Sequence, residues 1–212
     1  MRGHGTMRKL NLGCGAQVPA GWINVDYALG ARFARIPLFR IVNRRVRLFA
    51  LDWDSHIFVY DLQKPFPWGT GTIDVVYTSH ALEHFCKEDG LRFLHECHRV
   101  LRVSGIIRVI VPDLARLVQQ YAEKKVRADA FVDRLGVWPR HDGSWFKRGL
   151  SVFMQSSCHK CMYDTETLLD VLHTVGFDAG SREPFDSDID DIDQVELEGR
   201  TKDAVIVEGK KL

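Results

Sequence analysis

The fold is decided by residues 9–16, Lys-Leu-Asn-Leu-Gly-Cys-Gly-Ala. The apolar residues predict a buried β-strand, and the Gly-x-Gly pair after them predicts a tight turn. Glycines in such a turn let the backbone come close to a bound molecule. The next apolar run, residues 22–25, predicts a second strand that ends in Asp26, eleven residues after Gly15. A carboxylate at that place can accept hydrogen bonds from both hydroxyls of a ribose, so the pattern suits an adenosine-type ligand.

Predicted strands and helices alternate along the rest of the chain. Apolar runs predict strands over residues 57–60, 73–77, 106–111 and 204–207. Helical spacing predicts one helix that closes near Arg102, one that starts after Asp113, and one that runs from Asp164 to Gly176. This alternation is typical of a parallel sheet covered on both faces. We therefore expect a single α/β domain over residues 1–212.

The order of these motifs resembles the class I S-adenosylmethionine-dependent methyltransferases, in particular their type 11 group. The resemblance covers most of residues 8–112. It implies a doubly wound, mostly parallel, seven-stranded Rossmann-like sheet with an antiparallel last strand, in one α/β domain with insertions. It also implies methyltransferase activity, with S-adenosylmethionine as the cofactor and S-adenosylhomocysteine as the product.

The same resemblance implies a role for each cofactor-binding residue. The glycine loop lies against the methionine part of the cofactor, the acid after the second strand holds the ribose, and the Asp-Leu pair after the third strand flanks the adenine. The segment after the fourth strand faces the methionine end and the acceptor. The implied residues are Leu12, Gly13, Cys14, Gly15, Asp26, Tyr27, Asp61, Leu62, Ser79 and His80. The chain departs from the family at Asn11, where an acid is frequent, and at Gln17, where a third glycine is frequent.

Several histidines are candidates for a general base. A hydroxyl acceptor needs such a base, and an unperturbed histidine pKa near 6.5 suits the role. The resemblance favours His80 and His84 as catalytic residues, because it places them near the methyl group; His141 and His159 are the further candidates. A neutral amine acceptor would need no base. Asp113 either caps the helix that follows it or contacts the acceptor.

Two motifs have the spacing of metal ligands. The run from His80 to His84 has the His-x-x-Glu-His spelling of inverted zinc peptidases. It directly follows a predicted buried strand, and no third ligand is evident from the sequence. Cys158 and Cys161 are two residues apart, but a four-ligand site needs a second pair. We therefore predict no metal site, and the resemblance makes Glu83 either a helix-start acid or a local anchor.

Two segments, residues 28–56 and 125–160, exceed the minimal fold, and we expect them to build the acceptor pocket or a lid. The arginine-rich part, residues 32–47, leaves four interpretations open: a solvated face, a site for a phosphate-bearing or acidic acceptor, a membrane-surface contact, or nucleic-acid binding. The acidic run of residues 183–198 is either a solvated loop or the partner of these arginines, within one subunit or across a homodimer. The arginines are Arg32, Arg35, Arg40, Arg44, Arg45 and Arg47.

Composition limits the function further. The net charge is +1, so nothing draws the whole chain to nucleic acid, and no uncharged apolar run approaches the ~20 residues of a membrane span. Residues 1–6 lack an apolar export signal, and five scattered cysteines fit a reducing cytoplasm. The expected function is methyl transfer to a small-molecule acceptor. A non-catalytic S-adenosylmethionine-binding partner stays open, whereas a dinucleotide oxidoreductase is disfavoured because Val18 replaces the third fingerprint glycine.

Overall fold

A computed structural model describes residues 7–36, 41, 45, 53–138 and 158–212. Seven strands form one sheet in the order β3-β2-β1-β4-β5-β7-β6. Their bounds are β1 Lys9–Leu12, β2 Trp22–Asp26, β3 Phe58–Val59, β4 Ile73–Ser79, β5 Leu101–Pro112, β6 Phe177–Ser181 and β7 Ala204–Lys211.

The first five strands are parallel, and β7 runs antiparallel to both β5 and β6. This confirms the predicted fold class, including the antiparallel last strand. The chain adds β2 and β3 on one side of β1 and then crosses to add β4 and β5 on the other side. The boundary between β1 and β4 is therefore the topological switch point, where open α/β sheets bind their ligands.

The main core lies between one face of the sheet and two helices, α2 (Lys87–Val100) and α5 (Thr165–Val175). Strand residues that point to this face alternate along the chain, as the two-residue period of a strand requires. Asp164 caps α5 by accepting a hydrogen bond from the backbone N–H of Thr167 at 2.8 Å, and Gly176 ends the helix with φ of 108°. Both boundaries agree with the prediction. The central core residues are Leu10, Leu12, Val76, Phe93, Leu94, Cys97, Ile107, Val109, Leu168, Leu172, Val205 and Val207.

The opposite face is covered by the connection between β6 and β7, residues 182–203. Its apolar residues Ile189, Ile192 and Val195 pack on strand residues that include Trp22 and Tyr77. This connection contains a 3-10 turn, Ile192–Gln194, and the short helix α6, Glu198–Thr201. The acidic run was expected to be a solvated loop or the partner of residues 32–47. The run is not a free loop, because its apolar residues fold onto the sheet, but most of its carboxylates are exposed; its pairing with residues 32–47 stays a prediction.

A buried arginine on β5 holds this connection in place. Arg108 is fully buried, and all five of its N–H groups donate hydrogen bonds. Its partners are the carboxylates of Glu196 and Glu208, at 2.6–3.1 Å, and the carbonyl oxygens of Glu183 and Asp186. Glu196, the buried acid of the run, is therefore paired with an arginine of the sheet.

The remaining helices are α1 (Leu29–Phe33), α3 (Leu114–Ala122) and α4 (Ala128–Leu135). Asp113 caps α3 by accepting a hydrogen bond from the backbone N–H of Arg116 at 3.1 Å. One predicted boundary is wrong: the helix expected to close near Arg102 ends at Val100, because Leu101 already pairs with Ile73 in the sheet.

The two predicted insertions are described only in part. Arg40, Arg44 and Arg47 lie outside the described residues, as does His141 in the second insertion. The described parts contribute α1 and α4, and the role of the insertions as pocket or lid stays a prediction. Over the described ranges, no helix has the length and apolar character needed to cross a membrane.

Candidate functional site

The carboxyl ends of β1, β2 and β4 lie side by side at the same edge of the sheet. Leu12 of β1 is in register with Val25 of β2 and with Thr78 of β4. The residues that follow these three are Gly13, Asp26 and Ser79. The predicted glycine loop, the predicted ribose acid and the end of the fourth strand therefore form one row at the switch point.

Backbone geometry fixes the glycine loop against β2. Gly13 and Gly15 have φ of 73° and 59°, in the left-handed region that favours glycine. The backbone N–H groups of Gly13 and Cys14 both donate to the carbonyl oxygen of Val25, at 2.9 and 3.0 Å. This doubled hydrogen bond turns the chain sharply at the strand end.

Asp26 ties the loop to the start of the next segment. One carboxylate oxygen accepts the Gly15 N–H at 2.8 Å, and the other accepts the Ala28 N–H at 2.7 Å. A carboxylate has about four lone-pair sites, so each oxygen can accept a further hydrogen bond. Asp26 is half-buried at the carboxyl end of β2.

Substitution of Gly13 by alanine is expected to destabilise the fold by about 2 kcal/mol, because the added Cβ would lie 2.6 Å from the Cβ of Ala81 and φ is positive. Gly21→Ala is the matched control. Gly21 has φ of 80° but no heavy atom within 4 Å of an added Cβ, so only the conformational cost of about 1 kcal/mol should appear. Urea unfolding of both variants checks this; equal losses would show that the contact with Ala81 is not tight.

A narrow cleft of about 10 Å³, roughly the room for one water molecule, opens beside the glycine loop. The hydroxyls of Tyr77 and Ser79 are buried there and have no hydrogen-bond partner among the described residues. Burial raises the pKa of Tyr77 to about 12, so its phenol stays protonated and can donate. Orphaned polar groups of this kind point to a ligand or to ordered water. The cleft is lined by Asn11, Gly13, Cys14, Gln17, Tyr77, Ser79, Val195, Leu197 and Arg200.

Cys14 is a structural residue of this loop. Its side chain is buried in a small cluster with Ala31 and Trp53. Burial, with the Asp26 carboxylate as a smaller cause, raises the pKa of the Cys14 thiol to about 12. The thiol therefore stays protonated, and the residue contributes its backbone to the loop.

Arg200 brings a positive charge into the cleft from the β6–β7 connection. Its guanidinium donates to the carbonyl oxygen of Ser79 at 3.2 Å. Another guanidinium nitrogen lies 3.2 Å from the position that a Cβ on Gly15 would occupy. A cation thus faces the glycine loop directly. The sequence analysis missed this residue, since nothing in the acidic run marked it.

His80 has both ring nitrogens engaged. Nδ1 lies 3.1 Å from Glu83 Oε1, and Nε2 lies 2.9 Å from the carbonyl oxygen of Arg200. Burial lowers the pKa of His80, but the hydrogen bonds to Glu83 and to the Arg200 carbonyl outweigh it, and the net pKa is raised. Both partners only accept, so the pair of contacts favours an imidazolium. The predicted role of His80 as a base stays a prediction, and in this arrangement neither nitrogen is available to an acceptor.

His84 and His159 form a second histidine pair, with ring centroids 5.1 Å apart. His84 Nδ1 lies 3.2 Å from the Cys158 carbonyl oxygen, and His159 Nδ1 lies 2.8 Å from that of Leu135. A carbonyl oxygen only accepts, so each Nδ1 carries the proton and each Nε2 keeps its lone pair. Burial lowers the pKa of His159, which keeps the ring neutral.

The other predicted site residues occupy different surroundings. Asp61 lies just beyond β3, where Val59 is in register with Asp26, and its carboxylate accepts the Gln63 N–H at 3.1 Å. Leu62 is buried in the main core, and Leu12 is completely buried. Tyr27 is exposed, with the Arg32 guanidinium 5.2 Å from its ring centroid.

A second cavity, of about 120 Å³, lies at the carboxyl end of β5. Asp113 faces it from the strand end, and Arg134 faces it from α4. Arg134 also donates to the Gln120 side chain at 2.9 Å. This cavity offers two acidic side chains, Asp113 and Asp203, and one basic side chain to a polar molecule. Its lining residues are Pro112, Asp113, Leu117, Gln120, Arg134, Met162 and Asp203.

Comparison with known proteins agrees with this geometry. The family described as "Methyltransferase domain" matches residues 10–109. No curated protein matches the chain. The YcgJ protein from Bacillus subtilis has a TM-score of 0.52 at 11% identity, over 97% of this chain and 92% of that one. A SAM-dependent methyltransferase from Archaeoglobus fulgidus has a TM-score of 0.50 at 16% identity, over 97% and 86%.

A third solved structure is the complex between the Haloferax volcanii Trm112 methyltransferase activator and a methyltransferase. Its TM-score is 0.50 at 13% identity, over 99% of this chain and 84% of that one. The strand order is that of a Rossmann-like sheet, and a glycine loop at the switch point with an acid after β2 is typical of nucleoside-binding proteins of this fold. Residues 10–109, just under half of the chain, are similar to the methyltransferase-domain family, and the solved structures share its fold. These similarities support methyl transfer as the activity.

Proposed function

We propose that this protein transfers the methyl group of S-adenosylmethionine to an oxygen or nitrogen atom of a small-molecule acceptor. The row of Gly13, Asp26 and Ser79 at the switch point is the observation that carries the proposal. It supports a cofactor bound across the ends of β1, β2 and β4. Bound there, the cofactor supplies a sulfonium-activated methyl group, and the protein orients the reactants and excludes water.

The ribose and adenine would lie along the ends of β2 and β3. Asp26 keeps lone pairs for both ribose hydroxyls after it has accepted the two backbone N–H groups. Tyr27 and Asp61 flank that place at the same edge of the sheet. Leu62 is held in the core, so its contribution would be to support Asp61 rather than to cover the adenine.

The methionine end would occupy the cleft beside Gly13. Arg200 would pair with the methionine carboxylate, and the Tyr77 and Ser79 hydroxyls would donate to polar atoms there. Because Val195, Leu197 and Arg200 form its outer wall, the β6–β7 connection would close over the cofactor.

Replacement of Arg200 by glutamine is expected to weaken S-adenosylhomocysteine binding about fivefold. A charge-assisted hydrogen bond at this half-buried place contributes about 1 kcal/mol after solvent screening. 5′-Methylthioadenosine has no carboxylate, so its affinity should be unchanged in the same variant. Calorimetric titration of both ligands measures the difference, with Arg92→Gln, an exposed arginine on α2, as the control. An equal loss for both ligands would remove Arg200 from the carboxylate site.

The acceptor would enter near the cavity at the end of β5. Asp113 and Arg134 give that cavity both charges, which suits a small polar molecule. For a hydroxyl acceptor, His84 has Nε2 free of the contact that its Nδ1 makes, whereas both ring nitrogens of His80 are hydrogen-bonded. A neutral amine acceptor would react without a base.

Labelled methyl groups test the acceptor class. We expect the purified protein, given a metabolite extract and S-adenosylmethionine with an isotope-labelled methyl group, to label a compound of low molecular mass. Label found only in protein or nucleic acid would overturn the small-molecule proposal. Turnover with any acceptor also separates an enzyme from a non-catalytic S-adenosylmethionine-binding partner.

A further inference from the structure

We propose that Glu83, His84 and His159 bind one divalent transition-metal ion of the Zn²⁺ class. The three side chains are called the three-ligand cluster below. Their ligand atoms all lie within 4.8 Å of one another. A single ion about 2.1 Å from each atom requires only small side-chain adjustments. The sequence predicted no metal because the His-x-x-Glu-His motif showed no third ligand; the fold supplies one from a distant segment.

The two histidines are held in the orientation that metal ligands adopt. Each donates its Nδ1–H to a backbone carbonyl oxygen, of Cys158 for His84 and of Leu135 for His159. Metal-ligating histidines almost always make such a hydrogen bond with the second nitrogen, which fixes the tautomer and the ring plane. Both Nε2 atoms are therefore oriented to bind a metal ion, and the two ring centroids lie 5.1 Å apart.

Glu83 supplies the negative ligand. The residue is fully buried, and Oε1 accepts from His80 Nδ1 at 3.1 Å and lies 3.9 Å from His159 Nε2. Its second oxygen, Oε2, is buried without a hydrogen-bond partner in the described part of the chain. A buried carboxylate oxygen with no partner is costly, and a bound cation would satisfy it.

The backbone joins the two halves of the cluster. The N–H groups of Lys160 and Cys161 donate to the carbonyl oxygen of Glu83, at 2.8 and 3.2 Å. The segment that carries His159 is thus fixed to the turn that carries Glu83 and His84. The cluster is held by main-chain hydrogen bonds, as a preorganised site requires.

The ligand set determines the metal class. Two imidazole nitrogens and one carboxylate suit Zn²⁺ and related ions and leave coordination positions open, as in catalytic sites. Mg²⁺ prefers oxygen ligands and is excluded. Binding of the metal does not depend on the proposed function. If that function holds, the open position could bind a hydroxyl acceptor and lower its pKa, which would replace a histidine base.

The test is metal binding by tag-free protein after removal of metals with a chelator. Calorimetric titration should show one Zn²⁺ per chain and no uptake of Mg²⁺. His84→Ala, His159→Ala and Glu83→Gln should each weaken Zn²⁺ binding by about 100-fold or more, since even supporting residues alter metal affinity 10–100-fold. His173→Ala, an exposed histidine on α5, should bind Zn²⁺ like the natural protein.

Absorption of bound Co²⁺ gives a second measurement. Together with circular dichroism, it distinguishes loss of the metal site from misfolding of a variant. Co²⁺ at this site should produce the visible d–d absorption of a nitrogen- and oxygen-ligated ion in the natural protein and in His173→Ala. The absorption should be lost in His159→Ala while far-ultraviolet circular dichroism stays unchanged. Absence of Zn²⁺ binding, Zn²⁺ binding retained by folded His84→Ala and His159→Ala, or equal uptake of Mg²⁺ would each overturn the site. None of these readouts depends on methyl transfer. If the proposed methyltransferase function failed its own test, the result on metal binding would therefore still stand.

Discussion

Replacement of Arg108 by alanine is expected to lower the free energy of unfolding by about 3–5 kcal/mol, the cost of breaking a fully buried ion pair. The variant would leave the carboxylates of Glu196 and Glu208 buried without their cation. It would also leave the carbonyl oxygens of Glu183 and Asp186 without their donor. Urea unfolding followed by circular dichroism measures the loss.

Two further variants distinguish the cost of leaving buried charges unpaired from a general effect of substituting an arginine on β5. Arg102→Ala removes an arginine from the same strand, but its side chain is largely exposed, so we expect a change below about 1 kcal/mol. The triple variant Arg108→Met, Glu196→Met and Glu208→Leu removes all three charges and should recover most of the stability. A loss below 1 kcal/mol for Arg108→Ala would contradict the role of the buried arginine.

Substitution of Asp26 by alanine is expected to weaken S-adenosylhomocysteine binding by about 3 kcal/mol, or roughly 150-fold. Hydrogen bonds to a charged acceptor contribute about 1.5–3 kcal/mol each, and the ribose offers two hydroxyls. The variant also removes the acceptor for the Gly15 N–H, which loosens the glycine loop. Calorimetric titration gives the affinity directly. Asp178→Ala is the control, because this exposed carboxylate lies near the start of β6, away from the strand ends that form the site.

The affinities of two nucleosides distinguish loss of the ribose contact from loosening of the glycine loop. The natural protein should bind adenosine more tightly than 2′,3′-dideoxyadenosine, which lacks both hydroxyls. In Asp26→Ala the two affinities should become equal, because the acceptor of those hydroxyls is gone. A preference for adenosine that survives the substitution would assign the ribose to another residue.

Local chain chemistry predicted much of the fold. The apolar runs located the strands, and the capping residues Asp164 and Gly176 located the ends of α5, because these signals act over a few residues. The register that brings Gly13, Asp26 and Ser79 together followed from parallel pairing of adjacent strands. The helix end at Val100 was missed because pairing of Leu101 in the sheet overrides its helical spacing.

The remaining features depend on contacts between distant segments. Arg108 stands at an alternate position of an apolar strand, which signals a buried charge, but its partner Glu196 lies far along the chain. Ile189, Ile192 and Val195 recur three residues apart inside the acidic run, a spacing that marked a buried face in a segment expected to be solvated. His159 reaches Glu83 only through the fold, so the metal motif seemed incomplete. Arg200 had no local signal at all.

The most direct test of the cofactor site is a crystal structure of the protein with S-adenosylhomocysteine bound. We predict that the nucleoside lies across the ends of β1, β2 and β4, with both ribose hydroxyls within hydrogen-bond distance of the Asp26 carboxylate and the homocysteine carboxylate on Arg200. A nucleoside bound elsewhere, or one in this cleft with Asp26 turned away from its ribose, would contradict the proposed site.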